Sequence, residues 1–314
     1  MDGQVLLARV TRNGWVESVH AGHALIVDPD GTVIRSWGRP QDPVLPRSSN
    51  KPLQAAGMVA AGLDLHGAQL AIAAASHSGE AFHLDTVRAV LAGGGLSEAD
   101  LANTPALPYA PAAQVAWIRA GGGPSSLTQN CSGKHAAMLR TAQSLGAPLG
   151  GYMEPEHPVQ RAAAVGIERL SGERIVATGV DGCGAPVAAI SLFGLARAFS
   201  RMVRADPDSA EGRVARAMSA HPEHVGGTDR DVTVFMSALP GAIAKDGAES
   251  VHAFALPDGH AAAMKVADGS ERARGAVVVA LLRHLGVDPE VVAAVAPAPS
   301  LGGGRPVGTV EAVI

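Results

Sequence analysis

The sequence predicts an α/β protein of the α+β type, in which both chain ends build an antiparallel sheet around an inserted helical block. Apolar strand-like segments flank the turn DPDG at residues 28–31, as expected for a hairpin. The middle of the chain is Ala-rich with helical spacing, and short strands return in the last third. We therefore expect one domain over residues 1–314, with the sheet from about 1–45 and 240–314 and the helical part from about 46–239.

Each predicted element follows from the spacing of its apolar residues and from the turn residues that bound it. Strands are expected at 4–10, 15–27, 32–37, 174–180, 242–247, 251–256 and 261–266. Helices are expected at 53–63, 67–76, 83–93, 97–103, 113–120, from about 135 to 145, and at 157–170, 187–203, 208–220, 271–286 and 289–295.

Composition and charge exclude several classes of function. The net charge is −4 and the charged fraction 17%, with no basic run, so a nucleic-acid partner is not expected. We expect neither a membrane-spanning segment nor a signal peptide, because the apolar runs are too short. A cytoplasmic protein with a small-molecule substrate is the expectation. Aromatic residues make up 3% of the chain, so the core must be mainly aliphatic.

Ser48 and Lys51 form the first candidate for chemistry. They lie three positions apart, where a proline-containing loop becomes a helix, and this spacing places both side chains on one helical face. A lysine that has lost its proton can accept the serine proton and make the hydroxyl a nucleophile. The same residues would also serve as an ordinary helix start followed by a solvated lysine.

Two further polar stretches have both a structural and a functional interpretation. Ser76 and Ser78, in the cluster SHSGE, either cap the helix that follows or supply a hydroxyl to a polar pocket. Lys245 begins a K-x-G triplet at the end of a late strand, and in serine acyl enzymes with an S-x-x-K motif such a triplet lines the substrate pocket. Lone K-x-G triplets are common.

The two cysteines of the chain, Cys131 and Cys183, lie in polar, glycine-containing loops. They could form a disulfide, remain as free buried thiols, or share a tetrahedral Zn²⁺ ion. From the residues alone, His135 is a more usual third ligand than Lys134, because lysine must bind as the neutral amine.

Taken together, these stretches resemble the Rhizobium etli-type L-asparaginases, the asparaginase II family related to serine β-lactamases and glutaminases. Two residues depart from the family pattern: Asp246 follows Lys245, and Ser250 stands where a glycine is expected. We interpret both departures as peripheral. The matching segments are RSSNKP at 47–52, SHSGE at 76–80, NCSGKH at 130–135, DGCGAP at 181–186 and KDGAE at 245–249.

The resemblance implies a serine β-lactamase/glutaminase-like fold and the hydrolysis of L-asparagine to L-aspartate and ammonia. It implies Ser48 as nucleophile with Lys51 as its base, and Ser76 with Lys245 as a second Ser–Lys pair. Arg47 and Asn130 are the expected substrate-binding residues. A homodimer is also implied, and so is a Zn²⁺ ion whose ligands, besides water, are Cys131, Lys134 and Cys183.

Two alternatives remain open at this stage. The protein could be a related hydrolase that acts on another amide, such as glutamine, a β-lactam or a peptide. It could also be a zinc-binding relative without catalytic activity. Ammonia release and metal content distinguish these possibilities.

Overall fold

The computed structural model describes residues 2–314 and contains thirteen strands and twelve α-helices in that range. The strands are β1 (Val5–Arg12), β2 (Trp15–Val27), β3 (Val33–Trp37), β4 (Pro43–Val44), β5 (Thr178–Val180), β6 (Pro186–Ala188), β7 (Ile190–Ser191), β8 (Ile243–Gly247), β9 (Val251–Ala255), β10 (Ala261–Val266), β11 (Ser300–Gly302), β12 (Arg305–Gly308) and β13 (Val310–Ala312). The helices are α1 (Lys51–Ala60), α2 (Gly67–Ala73), α3 (Ala81–Ala92), α4 (Pro111–Arg119), α5 (Ser132–Ser144), α6 (Pro158–Ser171), α7 (Leu192–Arg204), α8 (Ala210–Ala220), α9 (Pro222–Val225), α10 (Asp231–Ala238), α11 (Arg274–His284) and α12 (Pro289–Ala294).

The main sheet is antiparallel and joins the two ends of the chain. Its strand order is β13-β1-β2-β10-β9-β8, and β3 pairs with the second half of β2. The first half of β2 is largely exposed, whereas its second half is buried because it lies between β3 and β10. This sheet, with a helical block between its two sequence parts, confirms the predicted fold class.

The predicted hairpin turn has the expected chemistry. The Asp28 carboxylate accepts hydrogen bonds from the main-chain N–H groups of Asp30 (2.9 Å) and Thr32 (2.8 Å). Gly31 has φ of +84°, in the left-handed region that glycine adopts without steric cost. The turn therefore fixes the register in which β3 returns along β2.

Helix α1 is buried along almost its whole length, and this burial positions the candidate site. Its closest neighbour is α6, which it crosses at two glycines. A Cβ atom at Gly57 would lie 2.3 Å from the carbonyl oxygen of Ala162, and one at Gly166 would lie 2.6 Å from that of Leu53. Only glycine permits this approach, so the crossing holds the first turn of α1, with Lys51, deep in the molecule.

Several predicted elements differ from the structure. The helix expected at 97–103 is a single 3₁₀ turn, Glu98–Asp100, and the strand expected at 174–180 is reduced to β5 at the surface. The helix expected at 187–203 is replaced at its start by β6 and β7, and α7 begins only at Leu192. Ser191 caps this helix, because its hydroxyl accepts the Gly194 N–H. Short apolar runs fit either structure, and here tertiary pairing decides.

The sequence reasoning also missed elements near the end of the chain. Strand β13 pairs with β1 at the edge of the main sheet, although no strand was predicted after residue 266. Helix α10 was not predicted either. Three-residue strands carry too little periodicity to be recognised before their partner is known. Across residues 2–314, no helix is both long and apolar enough to cross a membrane.

Candidate active site

Ser48 lies at a strained junction between loop and helix. A short 3₁₀ helix, Arg47–Asn50, leads directly into α1 at Lys51. Arg47 has φ of +52°, a conformation that costs energy for any residue other than glycine and that occurs preferentially at functional sites. Its guanidinium is fixed by Asp181, whose carboxylate accepts an N–H from Nε at 2.8 Å. Ser48 is half-buried, so part of the residue is exposed to solvent.

Lys51 is the centre of the polar interior, with only 1% of the residue exposed. Its amine donates to the carbonyl oxygen of Ala75 (2.5 Å), the hydroxyl of Ser76 (3.0 Å) and the sulfur of Cys131 (3.0 Å). An ammonium group has three N–H donors, and each of them has an acceptor here. Lys51 therefore joins the S-x-x-K segment, the SHSGE segment and the first cysteine loop.

The structure pairs the two serines and two lysines differently from the sequence prediction. The Lys51 amine reaches Ser76, and its contact with Ser48 is a main-chain one, from the Lys51 N–H to the Ser48 carbonyl. The Lys245 amine hydrogen-bonds to Asp246 instead of Ser76. In the described residues neither the Ser48–Lys51 nor the Ser76–Lys245 side-chain pair is joined by a direct hydrogen bond, and their catalytic pairing stays a prediction.

Lys245 lies on the fully buried strand β8, and Asp246 is its immediate partner. Burial lowers the pKa of Lys245 to about 8, and the positive charge of Lys51 contributes, although Asp246 acts in the opposite direction. Asp246 also accepts a hydrogen bond from the Arg230 guanidinium at 2.6 Å, and Arg230 lies over the ring of Tyr109. The interpretation of Asp246 as peripheral is therefore wrong.

Asp246 is expected to contribute strongly to stability. Replacing it with alanine leaves the Lys245 and Arg230 cations buried without their carboxylate, which should lower the free energy of unfolding by about 3–5 kcal/mol. Urea unfolding measures this change. The control is Asp258→Ala, which removes an exposed carboxylate paired with His260 and should cost about 1 kcal/mol or less. Equal losses in the two variants would show that the buried pairing is not the cause.

The two cysteines and Lys134 come together below the junction, at the start of α5. The Lys134 amine donates to the sulfur of Cys183 at 3.2 Å, and all three residues are buried. A hydrogen bond from Cys183 lowers the pKa of the Cys131 thiol, and Lys51 and Lys134 reinforce the effect. The same hydrogen bond, together with burial, raises the pKa of Cys183. The cluster therefore favours one thiolate.

This cluster fits a tetrahedral zinc ion by the chemistry of its donors. Two sulfurs and one amine in its neutral form, with water as fourth ligand, make a set of four donors, and the Lys134 amine already lies 3.2 Å from the Cys183 sulfur. His135 is not part of it. Its Nδ1 is hydrogen-bonded to the Tyr152 hydroxyl at 2.8 Å. Within residues 2–314, neither ring nitrogen of His135 lies within 4.8 Å of both cysteine sulfurs while these lie within 4.8 Å of each other.

Asn130 lies beside this cluster. Its side-chain oxygen accepts hydrogen bonds from Gln129 (3.1 Å) and from the Cys131 thiol (3.3 Å), and its carbonyl accepts the His77 N–H. Asn130 thus fixes the position of Cys131. Whether its amide also contacts a substrate stays a prediction, as does the role of Arg47.

Sequence reasoning missed Arg230, Tyr109 and the importance of Asp246. The small number of lysines in the sequence could have indicated these residues. The chain contains four lysines, and the structure buries three of them in this one region, at positions 51, 134 and 245. Lysine is almost never fully buried without a partner, so an Ala-rich strand that contains one predicts an acidic neighbour.

Comparisons with known proteins give the following findings. The family model described as L-asparaginase II matches residues 8–312 of the chain. Among solved structures, a β-lactamase from Mycobacterium bovis is similar, with a TM-score of 0.46 and 16% identity over 84% of this chain and 94% of that chain. At that level of similarity nothing about activity follows. A search of curated proteins gives no significant match.

Proposed function

The chain belongs to the L-asparaginase II family, and from this membership we propose that it hydrolyses L-asparagine to L-aspartate and ammonia. The family supports an amide hydrolase with a small-molecule substrate. The observation that carries the proposal is Lys51, whose amine joins Ser76 and Cys131 and whose main-chain N–H donates to the Ser48 carbonyl. Such a group of hydroxyl, amine and thiol side chains is suited to acyl transfer.

We propose Ser48 as the nucleophile, because it is the more accessible of the two serines and follows the strained residue Arg47. Ser76, in contrast, is 4% exposed and its hydroxyl is held by the Lys51 amine. The Ser48 oxygen attacks the side-chain amide carbon while its proton passes to a lysine amine. When the C–N bond breaks, that proton leaves with the amide NH₂ as ammonia. Water then cleaves the β-aspartyl ester.

The pH dependence of activity should follow Lys245. A base must be unprotonated, and because the pKa of Lys245 is lowered to about 8, its neutral fraction rises as the pH rises through that value. We expect kcat/KM to increase about tenfold per pH unit below about 8 and to level off above it. Initial rates of ammonia release between pH 6 and 9 measure this profile.

Two arginine substitutions test whether Lys245, and not another group, causes the rise of kcat/KM with pH. Lys245→Arg keeps the charge but cannot lose its proton, so the rising limb should disappear together with most of the activity. Lys265→Arg changes the fourth lysine, which is bonded to the Glu249 carbonyl, and should leave the limb in place. A rising limb near pH 8 that persists in Lys245→Arg would remove Lys245 as the titrating group.

We also propose that Cys131, Lys134 and Cys183 hold Zn²⁺. When bound, the ion supplies positive charge close to the pocket and fixes the Asn130 loop. Chelation should remove the zinc held by these three residues and lower kcat/KM by at least about tenfold, and added zinc should restore both. Cys183→Ser should take up zinc at least tenfold more weakly, as measured by equilibrium dialysis. Full activity in protein shown to be metal-free would contradict a role for the ion in turnover.

The substrate is tested by assaying ammonia release from asparagine and from glutamine beside nitrocefin hydrolysis. The proposal predicts that kcat/KM for asparagine exceeds that for glutamine by at least tenfold, with little nitrocefin turnover. The reverse order would favour another amide. Zinc content without turnover of any amide would favour a non-catalytic zinc protein.

We also propose that the protein forms a homodimer. The β1–β2 hairpin presents exposed apolar side chains, among them Trp15, which is 81% exposed, and Val19, which is 55% exposed. Exposed apolar residues that lie close together are typical of interaction surfaces. Light scattering after size exclusion should give twice the mass of the chain, and Trp15→Glu should shift the protein to a monomer.

A further inference from the structure

A second group of metal-ligating side chains lies outside the candidate active site. His221, Glu223 and His224 each offer one ligand atom, and these atoms lie within 4.8 Å of one another. In the part of the chain from residue 2 to 314, this is the one group of three His, Cys, Asp or Glu side chains that meets this distance. None of the three belongs to a motif discussed above.

The main chain holds these three residues in a single turn. Helix α8 ends at Ala220, and Pro222 begins α9, where the fixed φ of proline suits a first helical position. The His224 N–H donates to the His221 carbonyl at 3.0 Å and closes the turn. The ligands are therefore neighbours before any metal arrives, and little conformational entropy is lost when one binds.

The side chains point toward a common centre. The Glu223 carboxylate oxygen Oε1 lies 2.8 Å from Nδ1 of His224 and 3.8 Å from Nδ1 of His221. The His224 ring packs edge-on against Phe82, with 5.1 Å between the ring centroids, so its orientation is fixed from the interior side. Two imidazoles and one carboxylate are the donors of many protein sites for divalent transition metals, with further positions left for water.

The surroundings do not oppose a cation. The three side chains are between 15% and 42% exposed, so an ion reaches them from solvent. Arg213 and Arg216 of α8 line the same cleft as His221. Both charges are balanced by carboxylates, since Arg216 pairs with Asp208 at 3.5 Å and Arg213 with Asp64 at 3.9 Å.

We propose that His221, Glu223 and His224 bind one divalent transition-metal ion such as Zn²⁺. This site is separate from the cysteine cluster and shares no ligand with it. The turn is nevertheless attached to the SHSGE segment, because the Val225 carbonyl accepts the Ser76 N–H at 3.1 Å, and to α3, because the Glu223 carbonyl accepts from His83 at 2.9 Å. An ion here therefore lies against the scaffold of the candidate active site without using its residues.

The test is equilibrium dialysis of chelator-stripped protein against Co²⁺, for the wild type and for the double variant His221→Ala/His224→Ala. The double variant should bind one equivalent less than the wild type. Glu223→Gln, which keeps size and hydrogen bonding, should weaken that equivalent by at least about tenfold. His260→Ala is the control, because it removes a histidine that is likewise paired with a carboxylate, Asp258, but has no third ligand. It should bind as the wild type does.

Cobalt also distinguishes this site from the cysteine cluster. Ions bound to thiolate give a near-ultraviolet charge-transfer band, and ions bound to nitrogen and oxygen ligands do not. The double variant should keep any thiolate band of the wild type and lose only the Co²⁺ equivalent bound by nitrogen and oxygen ligands. The comparison therefore still holds if the cysteine cluster binds no metal. If the double variant does not fold, zinc-soaked crystals of the wild type give the answer by anomalous scattering. Equal stoichiometry in wild type and double variant, or an anomalous map without a peak between the three side chains, overturns the proposal.

Discussion

Replacing Ser48 with alanine is expected to lower kcat by at least about 10⁴-fold while the protein stays folded. The substitution removes the oxygen that forms the ester, and losses of this size are typical of enzymes that lose their nucleophile. Because Ser48 is half-buried and its main-chain carbonyl still accepts the Lys51 N–H, the melting temperature should change little. Ammonia release under saturating asparagine, together with circular dichroism, measures both effects.

The neighbouring serine provides a matched control. Ser49 is fully buried and its hydroxyl donates to the Pro46 carbonyl at 2.8 Å, so it supports the junction without facing a substrate. Ser49→Ala should cost about 1 kcal/mol of stability and less than about tenfold in activity. Should Ser48→Ala retain more than about one hundredth of the wild-type kcat, Ser48 is not the nucleophile.

Lys51 is expected to show the second large effect. Lys51→Met keeps the length of the side chain but removes all three hydrogen bonds, to Ala75, Ser76 and Cys131. We expect kcat/KM to fall by at least about 10³-fold, since the hydrogen bonds that position Ser76 and Cys131 are lost. The decrease should appear mainly in kcat, because Lys51 is buried beneath the substrate-accessible surface.

A conservative substitution distinguishes a proton-transfer role from a purely electrostatic one. Lys51→Arg retains a positive charge, but a guanidinium does not give up its proton near neutral pH. If Lys51 exchanges protons with the reacting groups, Lys51→Arg should be as inactive as Lys51→Met. Recovery of more than about one tenth of the activity in Lys51→Arg would instead show that charge alone is needed.

The sequence was a good guide to the sheet and to the segments of the site, and a poor guide to the contacts within the site. The hairpin around residues 28–31 depends on local turn chemistry, so it could be predicted from its own residues. The spacing of Ser48 and Lys51 is also local. The direction of the Lys51 amine is not, because it depends on α6 and α5 packing around α1.

The burial of Asp246 is a second feature that could not be predicted from the sequence. Sequence alone gave β8 correctly as a strand but gave no reason to bury an aspartate in it. The carboxylate is stable there because Lys245 and Arg230 lie on either side of it, and Arg230 comes from the loop before α10, a helix that periodicity did not predict. The site could therefore be located from its motifs, whereas its charge balance required the fold.

The central claim, acylation of Ser48, is tested most directly by identifying the modified residue. Protein mixed with asparagine and quenched in acid within one turnover is digested and its peptides are analysed by mass spectrometry. The account predicts the added mass of one aspartyl group on the peptide that contains Ser48, and its absence from the Ser48→Ala variant. An aspartyl group on Ser76, or hydrolysis in water enriched in ¹⁸O with neither serine ever modified, would contradict it.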